Sequence, residues 1–275
     1  MLVTLNEIMK DAEEKKYAVG LFNHLNLEMA RGIIEAAEEM KSPIILGVAE
    51  VHLPIIPFEY AAMIMNHMAQ SAKVPVCLHF DHGMSYSKIM QAIKAGFSSV
   101  MYDGSALEYE ENIKNTREIS RVAHSLGVSV EAELGHVGMG DNENDFNCDD
   151  QYTRVEQVND FIERAEVDAL AVAIGTAHGA YKVKPKLDIK RLADIYSVAK
   201  APLVLHGGSG LTDEDFKNTV RNGIRKVNIC TEMCIAAQEA YKNGNSLENA
   251  IPNAVNAVKE VVRSKITLFE SNNRV

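Results

Sequence analysis

Apolar and polar positions alternate along the chain in two different rhythms. Short apolar runs rich in β-formers occur at Ala18–Phe22, Pro43–Val48, Val74–His79, Ser98–Tyr102, Ser129–Leu134, Ala169–Ile174, Pro202–Leu205 and Lys226–Ile229. Between them lie longer stretches whose apolar residues recur at helical spacing and so fall on one helix face. These stretches are Leu27–Met40, Phe58–Ala72, Tyr86–Ala95, Glu108–Leu126, Arg154–Ala165, Asp188–Val198 and Thr212–Asn222. Thr231–Lys242 follows the eighth run, Ser246–Leu268 supplies an extended C-terminal helix, and Thr4–Lys15 predicts an extra helix before the first strand. Eight strands with a helix after each predict an α/β fold in which parallel strands close into a (β/α)8 barrel, a TIM barrel.

An open, doubly wound sheet is the alternative reading of the same alternation. Its dinucleotide-binding form needs a glycine fingerprint at the first strand-to-helix turn, and Phe22-Asn-His-Leu-Asn-Leu-Glu28 has none. The chain shows no internal repeat or linker, and its 275 residues suit one barrel domain spanning 1–275. The one long connection without periodicity is Gly135–Thr153, rich in Gly, Asn and Asp. A loop of that length in a compact domain is usually a lid or a disordered segment.

Composition narrows the function. An apolar fraction of 47% supports a sizeable core, and no apolar run is long enough for a membrane helix. The opening Met1-Leu-Val-Thr-Leu-Asn-Glu7 lacks the basic and apolar regions of a secretion signal. Four scattered cysteines, Cys77, Cys148, Cys230 and Cys234, form no disulfide framework or zinc-finger pattern. Together these features predict a cytoplasmic protein without a membrane partner. A net charge of −10 argues against nucleic acid, where binding rests on neutralising phosphates. It leaves small phosphorylated ligands open, because backbone N–H groups can hold a phosphate on an acidic protein.

In a barrel the chemistry sits where strands end, at the C-terminal rim. The predicted ends carry His79-Phe-Asp81-His82-Gly83, Tyr102-Asp103-Gly104-Ser105, Glu131-Ala-Glu133-Leu-Gly135, Gly175-Thr-Ala-His178-Gly179, His206-Gly207-Gly208-Ser209-Gly210 and Asn228-Ile-Cys230-Thr231-Glu232. A single histidine at a strand end is usually a hydrogen-bonded or surface residue. Three of the nine, His82, His178 and His206, each stand beside glycine at the same rim. Three imidazoles with an open fourth position are what a catalytic zinc site requires. His79 shares a face with Asp81 by strand alternation and reads as a supporting or core residue. His24, His52, His67 and His124 read as ordinary, and His136, at the start of the long loop, as ambiguous. The run Gly207-Gly208-Ser209-Gly210 lets backbone N–H groups approach an anion, and the corner after strands seven and eight is a common phosphate site.

These motifs resemble the class II, zinc-dependent, fructose-bisphosphate and tagatose-bisphosphate aldolase family. The resemblance runs from Phe22-Asn23 to Arg263-Ser-Lys265 and is most specific at His79-x-Asp81-His82-Gly83, Ser99-Val-Met-Tyr-Asp103-Gly-Ser105, Val130-Glu-Ala-Glu-Leu-Gly135, Gly175-x-x-His178-Gly179-x-Tyr181-Lys182, Pro185-Lys-Leu-Asp188 and His206-Gly-Gly-Ser-Gly210. It implies a zinc ion on His82, His178 and His206, with Glu133 and Asp103 as neighbouring metal-site carboxylates. It implies Asp81 as the acid/base at the oxygen of the cleaved bond. Gly179, Gly207, Ser209, Asn228 and Thr231 match positions around the phosphate of a ketose, and Gly179, Gly207 and Ser209 also match a monovalent-cation site, Na+ or K+. Asn23, Lys182, Gly208 and Cys230 complete the candidate substrate-binding set at this rim. The implied reaction is reversible cleavage of a ketose phosphate or 1,6-bisphosphate to dihydroxyacetone phosphate and an aldehyde, through a metal-stabilised enediolate, by a homodimer or homotetramer.

The chain departs from the family pattern at three places. Where Gln-x-Ser is common after the second strand, it has Gly47-Val48-Ala49-Glu50. Where an Asp-Pro-Arg motif often holds a second phosphate, Ser246-Leu-Glu-Asn-Ala-Ile-Pro-Asn253 offers no arginine for a bidentate contact. Where the mobile loop carries a glutamate eight residues past the strand-five carboxylate, the chain has Asp141, with Glu143 as the substitute. The aldehyde partner is therefore expected to be unphosphorylated or differently shaped. Lys226 offers a Schiff-base alternative that leaves the histidines unexplained. A zinc hydrolase would need a His-x-His on the first strand, which is absent. A non-catalytic sugar-phosphate sensor or accessory subunit on the same fold is the alternative from another class.

Overall fold

The computed structural model describes residues 1–140 and 149–275. The strands of the barrel are β1 (Val19–Asn23), β2 (Ile44–Ala49), β3 (Val76–Gly83), β4 (Ser99–Tyr102), β5 (Ser129–Leu134), β6 (Ala169–Val172), β7 (Leu203–Leu205) and β8 (Ile224–Ile229). Each pairs in parallel with the next, β8 pairs with β1, and the ring of eight is closed. The helices are α1 (Leu5–Lys15), α2 (Leu27–Met40), α3 (Phe58–Ser71), α4 (Tyr86–Lys94), α5 (Tyr109–Ser125), α6 (Val158–Ala165), α7 (Ile189–Val198), α8 (Asp213–Arg221), α9 (Thr231–Lys242) and α10 (Leu247–Leu268). The (β/α)8 barrel expected from the apolar rhythm is the observed fold. Element ends move by a few residues: β3 runs through Asp81 and His82, and the first turn of the expected Arg154–Ala165 helix is a separate 3-10 turn at Val155–Gln157.

Alternation along the strands divides the core in two. Outward residues such as Phe22, Leu46, Phe80, Val130 and Leu205 pack beneath the surrounding helices. Inward residues Val19, Leu21, Ile45, Cys77, Ala169, Ala171 and Val204 form a separate cluster with Leu5, Ile8, Met9 and Ala12 of α1. That helix plugs the N-terminal end of the barrel. It starts at a capping box, in which Thr4 Oγ1 accepts from the Glu7 amide and the Glu7 carboxylate accepts from the Thr4 amide at 2.7 Å. Leu2–Val3 pairs with Val76 and Cys77, filling the stretch of β3 below the start of β4.

The inward positions then change character along each strand. Cys77 gives way to His79 and Asp81, Ser129 to Glu131 and Glu133, Leu21 to Asn23, and Lys226 is followed by Asn228, all of them buried. Alternation thus gives the barrel an apolar floor and a polar upper interior. A second, two-stranded ladder joins Gly138–Met139 to Ala177–His178 above the rim.

Candidate metal centre and its surroundings

Asp81 and His82 are consecutive, so regular alternation would turn them to opposite faces of the sheet. The register between β3 and β4 slips between Phe80 and Gly83, and His82 adopts a left-handed backbone with φ of 46°. A bulge of this kind re-aims a side chain, here at the cost of a conformation that non-glycine residues rarely hold. Both side chains therefore reach the barrel mouth. The next residue, Gly83, has no room for a Cβ, which would lie 2.6 Å from the Met101 carbonyl.

The ring centre of His82 lies 4.6 Å from that of His178 and 4.5 Å from that of His206. The ligand nitrogens of the three lie within 4.8 Å of one another. His82 Nε2, His178 Nε2 and His206 Nδ1 are buried without hydrogen-bond partners among the described residues. Their other contacts explain the orientation. His82 Nδ1 sits 2.7 Å from Asp103 Oδ2, and His206 Nε2 sits 2.9 Å from Glu131 Oε1. Burial works against a charge on this ring, but Glu131 and Glu133, whose Oε2 lies 3.3 Å from Nδ1, outweigh burial and push the His206 pKa up to about 10. A cation bound between His206, Glu133 and the two other imidazole nitrogens would take the place of that proton. Asp103, hydrogen-bonded to a ring nitrogen that faces away from the centre, is the carboxylate that orients such a ligand. The donor set therefore fits the expected metal, and the class of site is the three-imidazole one.

Asp81 is fully enclosed beside this group. Asn23 donates to Oδ2 at 2.7 Å and Asn228 donates to Oδ1 at 3.0 Å. Burial works against its charge, but His82, His206 and the Lys226 ammonium outweigh burial and hold its pKa far below the ordinary carboxylate range. Asp81 is thus an anion poised between β8 and β1. Asp103 Oδ1 accepts from Ser105 Oγ at 2.7 Å, and Ser105 lies 3.1 Å from His136 Nδ1, so the ambiguous His136 joins the support of His82.

Beneath the histidines lies an ion pair that the sequence reading did not single out as such. Lys226 Nζ is 2.9 Å from Glu131 Oε2 and 2.8 Å from Asn228 Oδ1, with both charged side chains fully buried. Glu131 also receives His206, and its pKa falls to about 2 as Lys226, His206 and His79 overcome the burial that would raise it. The amine of Lys226 is committed to this pair, which leaves the Schiff-base alternative without a free nucleophile. The signal was present in the sequence: Glu131 and Lys226 each stand two residues before a rim residue, and so on the same inward face.

The loop after β7 is packed against its neighbours. Gly207 has φ of 67°, and a Cβ there would meet the Ala177 carbonyl at 2.3 Å. Tyr181 donates to the Gly207 carbonyl at 2.8 Å, and the Gly208 amide donates to the Asn228 carbonyl at 3.1 Å. Ser209 Oγ accepts from the amides of Cys230 and Glu232 and so caps α9, which has no side-chain cap of its own. This corner joins Gly207, Gly208, Ser209, Asn228, Cys230 and Thr231 at one helix N-terminus. Gly179 follows His178 with φ of 85°, and the Lys182 amide donates to the Gly140 carbonyl. The Gly140 amide in turn donates to the His178 carbonyl, which fastens the start of the long loop beside a candidate ligand. Asp141 and Glu143 lie outside the described residues.

The ordinary readings of His67 and His124 agree with the structure, since His67 is exposed and His124 pairs with Asp168 at 2.8 Å. His24 is fully buried and its Nδ1 lies 2.9 Å from the Gly47 carbonyl. His52 is the one whose surroundings differ from an ordinary surface histidine: it feels both Asp81 and His82. Among the described residues no helix is long and apolar enough to cross a membrane.

Comparison with known proteins agrees with this geometry. The family model described as class-II fructose-bisphosphate aldolase matches residues 3–274. The uncharacterized protein YdjI of Escherichia coli K12 is 43% identical, covering 100% of this chain and 99% of its own. A fructose-bisphosphate aldolase of Staphylococcus aureus strain Mu50 is 39% identical, with 99% of each chain covered. The crystal structure of the YdjI aldolase superposes with a TM-score of 0.91 at 40% identity, covering 100% of this chain and 99% of that one. A chain matched over almost its whole length, with these strand ends converging on one rim, belongs to the class II fructose-bisphosphate aldolase family and is an aldolase, an aldehyde-lyase.

Proposed function

We propose that residues 1–275 form one barrel domain that works in the cytoplasm as a zinc-dependent aldolase, reversibly cleaving a ketose phosphate into dihydroxyacetone phosphate and an aldehyde. The observation that carries this reading is the convergence of three buried imidazole nitrogens that make no hydrogen bond among the described residues. His82, His178 and His206 would hold zinc, with Asp103 orienting His82 and Glu133 within reach of the same position. Bound there, zinc supplies a Lewis acid for the negative charge that carbon–carbon cleavage leaves on the ketose half.

The chain's own residues handle the protons and the phosphate. Asp81, held by Asn23 and Asn228, takes the proton from the hydroxyl at the bond that breaks, and returns it in the condensation direction. The phosphate end sits in the corner formed by Gly179, Gly207, Gly208, Ser209, Cys230 and Thr231, at the N-terminus of α9, where the helix dipole favours an anion. Asn228 connects the two ends, since it borders this corner and donates to Asp81. Lys182 adds a cation at the rim, and a monovalent cation, Na+ or K+, near Gly179, Gly207 and Ser209 would share the phosphate charge. A loop carboxylate, Glu143 or Asp141, exchanges the proton at carbon.

The apolar side chains of Val51, Ile55, Tyr60, Met63, Met84 and Tyr86 are exposed along the segments that follow β2 and β3. Exposed apolar patches of this kind support self-association as a homodimer or homotetramer.

The test combines metal and substrate. Purified protein should contain one zinc per chain, lose activity to a chelator and regain it with zinc, in a screen of ketose mono- and bisphosphates. Asp81→Ala should keep its zinc and lose about 10²- to 10⁴-fold in turnover. Full turnover without metal, or in the Asp81 variant, would remove the reading.

A further inference from the structure

The rim beyond Asp81, away from the phosphate corner, is built by the segments that follow β1 and β2. A single 3-10 turn, Glu50–His52, follows β2. Glu50 Oε2 accepts from the amides of Met84 at 2.8 Å and Ser85 at 3.2 Å, which pins this turn over the end of β3, where Asp81 and His82 stand. The His52 carbonyl accepts from Ile55 at 2.8 Å and Ile56 at 3.0 Å, so its backbone is fixed as well. Its ring is half-buried, and Nδ1 is buried without a partner among the described residues. On the adjacent β1 side, fully buried His24 also keeps a nitrogen, Nε2, without a partner among the described residues.

An unpaired buried polar atom is costly, and in a native structure it points to a polar group that the atom meets in use. Asp81 fixes what that is. Its carboxylate accepts from Asn228 on one side and Asn23 on the other, so the bond that breaks lies between the β7–β8 corner and the β1–β2 corner. A ketose phosphate anchored at the first corner leaves its aldehyde half at the second. We propose that His52 is a specificity-determining residue for that half, hydrogen-bonding a hydroxyl group beside the aldehyde carbon, so that the preferred partner is a hydroxylated aldehyde. The inference rests on the aldolase reading above. Burial holds the His52 ring below the ordinary histidine pKa, and the Asp81 and His82 charges act on it in opposite senses. A neutral imidazole has one donor and one acceptor, which matches a hydroxyl and not a phosphate dianion.

The experiment uses the zinc-loaded enzyme and two readouts. Deuterium exchange at the enolisable carbon of dihydroxyacetone phosphate, without aldehyde, reports the ketose half alone. Condensation is then measured with glycolaldehyde and glyceraldehyde, and with propanal, which lacks the hydroxyl. His52→Ala should leave exchange and the propanal reaction unchanged, and lower kcat/KM for the hydroxylated aldehydes about tenfold, the value of one hydrogen bond. His52→Gln, which keeps a donor and an acceptor, should recover part of the loss. Equal losses for all three aldehydes, a fall in exchange, or no loss at all would each overturn the assignment. A wild-type enzyme that exchanges no deuterium would instead remove the aldolase reading on which the assignment stands.

Discussion

The buried pair of Lys226 and Glu131 shows how a single residue can serve both fold and site. Taking two charges out of water is costly, and a pair of this kind holds only because each lone pair and proton finds a partner. Here the partners are His206 and Asn228, both at the candidate site. Lys226→Met should therefore destabilise by about 3–5 kcal/mol in chemical denaturation, because Glu131 would be left as an uncompensated buried charge. Lys226→Met combined with Glu131→Gln should recover much of that loss. A double variant no more stable than the single one would show that the pair is not the source. Little at this scale was legible in the sequence beyond residue types. Strand alternation puts Glu131 and Lys226 on the inward face, but which inward charges meet across the barrel depends on register, and register is a property of the assembled ring.

At the scale of elements, the sequence was most informative where periodicity is strong. Leu27–Met40 and Thr231–Lys242 have the expected helix boundaries, and Ser129–Leu134 the expected strand. It was least informative where an element breaks its own rhythm. The β3–β4 irregularity that turns Asp81 and His82 the same way has no signature in apolar spacing, and the Glu50–His52 turn is held by Glu50, a long-range contact. His24 joins two elements in the same manner. Its backbone amide and its Nδ1 both meet the Gly47 carbonyl, at 3.1 and 2.9 Å, stapling the end of β1 to β2. Burial pushes its pKa down to about 4, partly countered by that carbonyl. The folded state keeps the ring neutral while the unfolded chain protonates it near the ordinary value of about 6.5. Stability contributed by the neutral ring is thus complete above about pH 6.5, falls as pH drops, and stops falling near pH 4, where the folded state also takes the proton. His24→Gln should reduce the pH dependence of the denaturation midpoint across this window, with His79 and His178, also held down by burial, supplying the rest. An unchanged slope would place the acid sensitivity elsewhere.

For the whole molecule, a barrel with an apolar floor and a polar mouth separates what stabilises from what reacts. The α1 plug and the outward core need no metal, so chelation is expected to remove activity while leaving the barrel folded. The exposed Tyr60 and Met63 lie three residues apart on α3, on one helix face. Tyr60→Glu with Met63→Glu should shift the protein to monomers in sedimentation or light scattering, if this face is the self-association surface. An unaltered oligomer would move that surface to another part of the molecule.

The left-handed backbone of His82 sets fold and chemistry against each other. A β-carbon in that conformation is strained by about 1–2 kcal/mol, and glycine is not. His82→Gly should give back part of that strain, offset by the lost bond to Asp103, while removing one of the proposed zinc ligands. The local backbone conformation alone would favour glycine at this position, whereas the proposed metal site requires an imidazole there. Position 82 is a point at which selection for a sturdier barrel and selection for a working one pull in opposite directions.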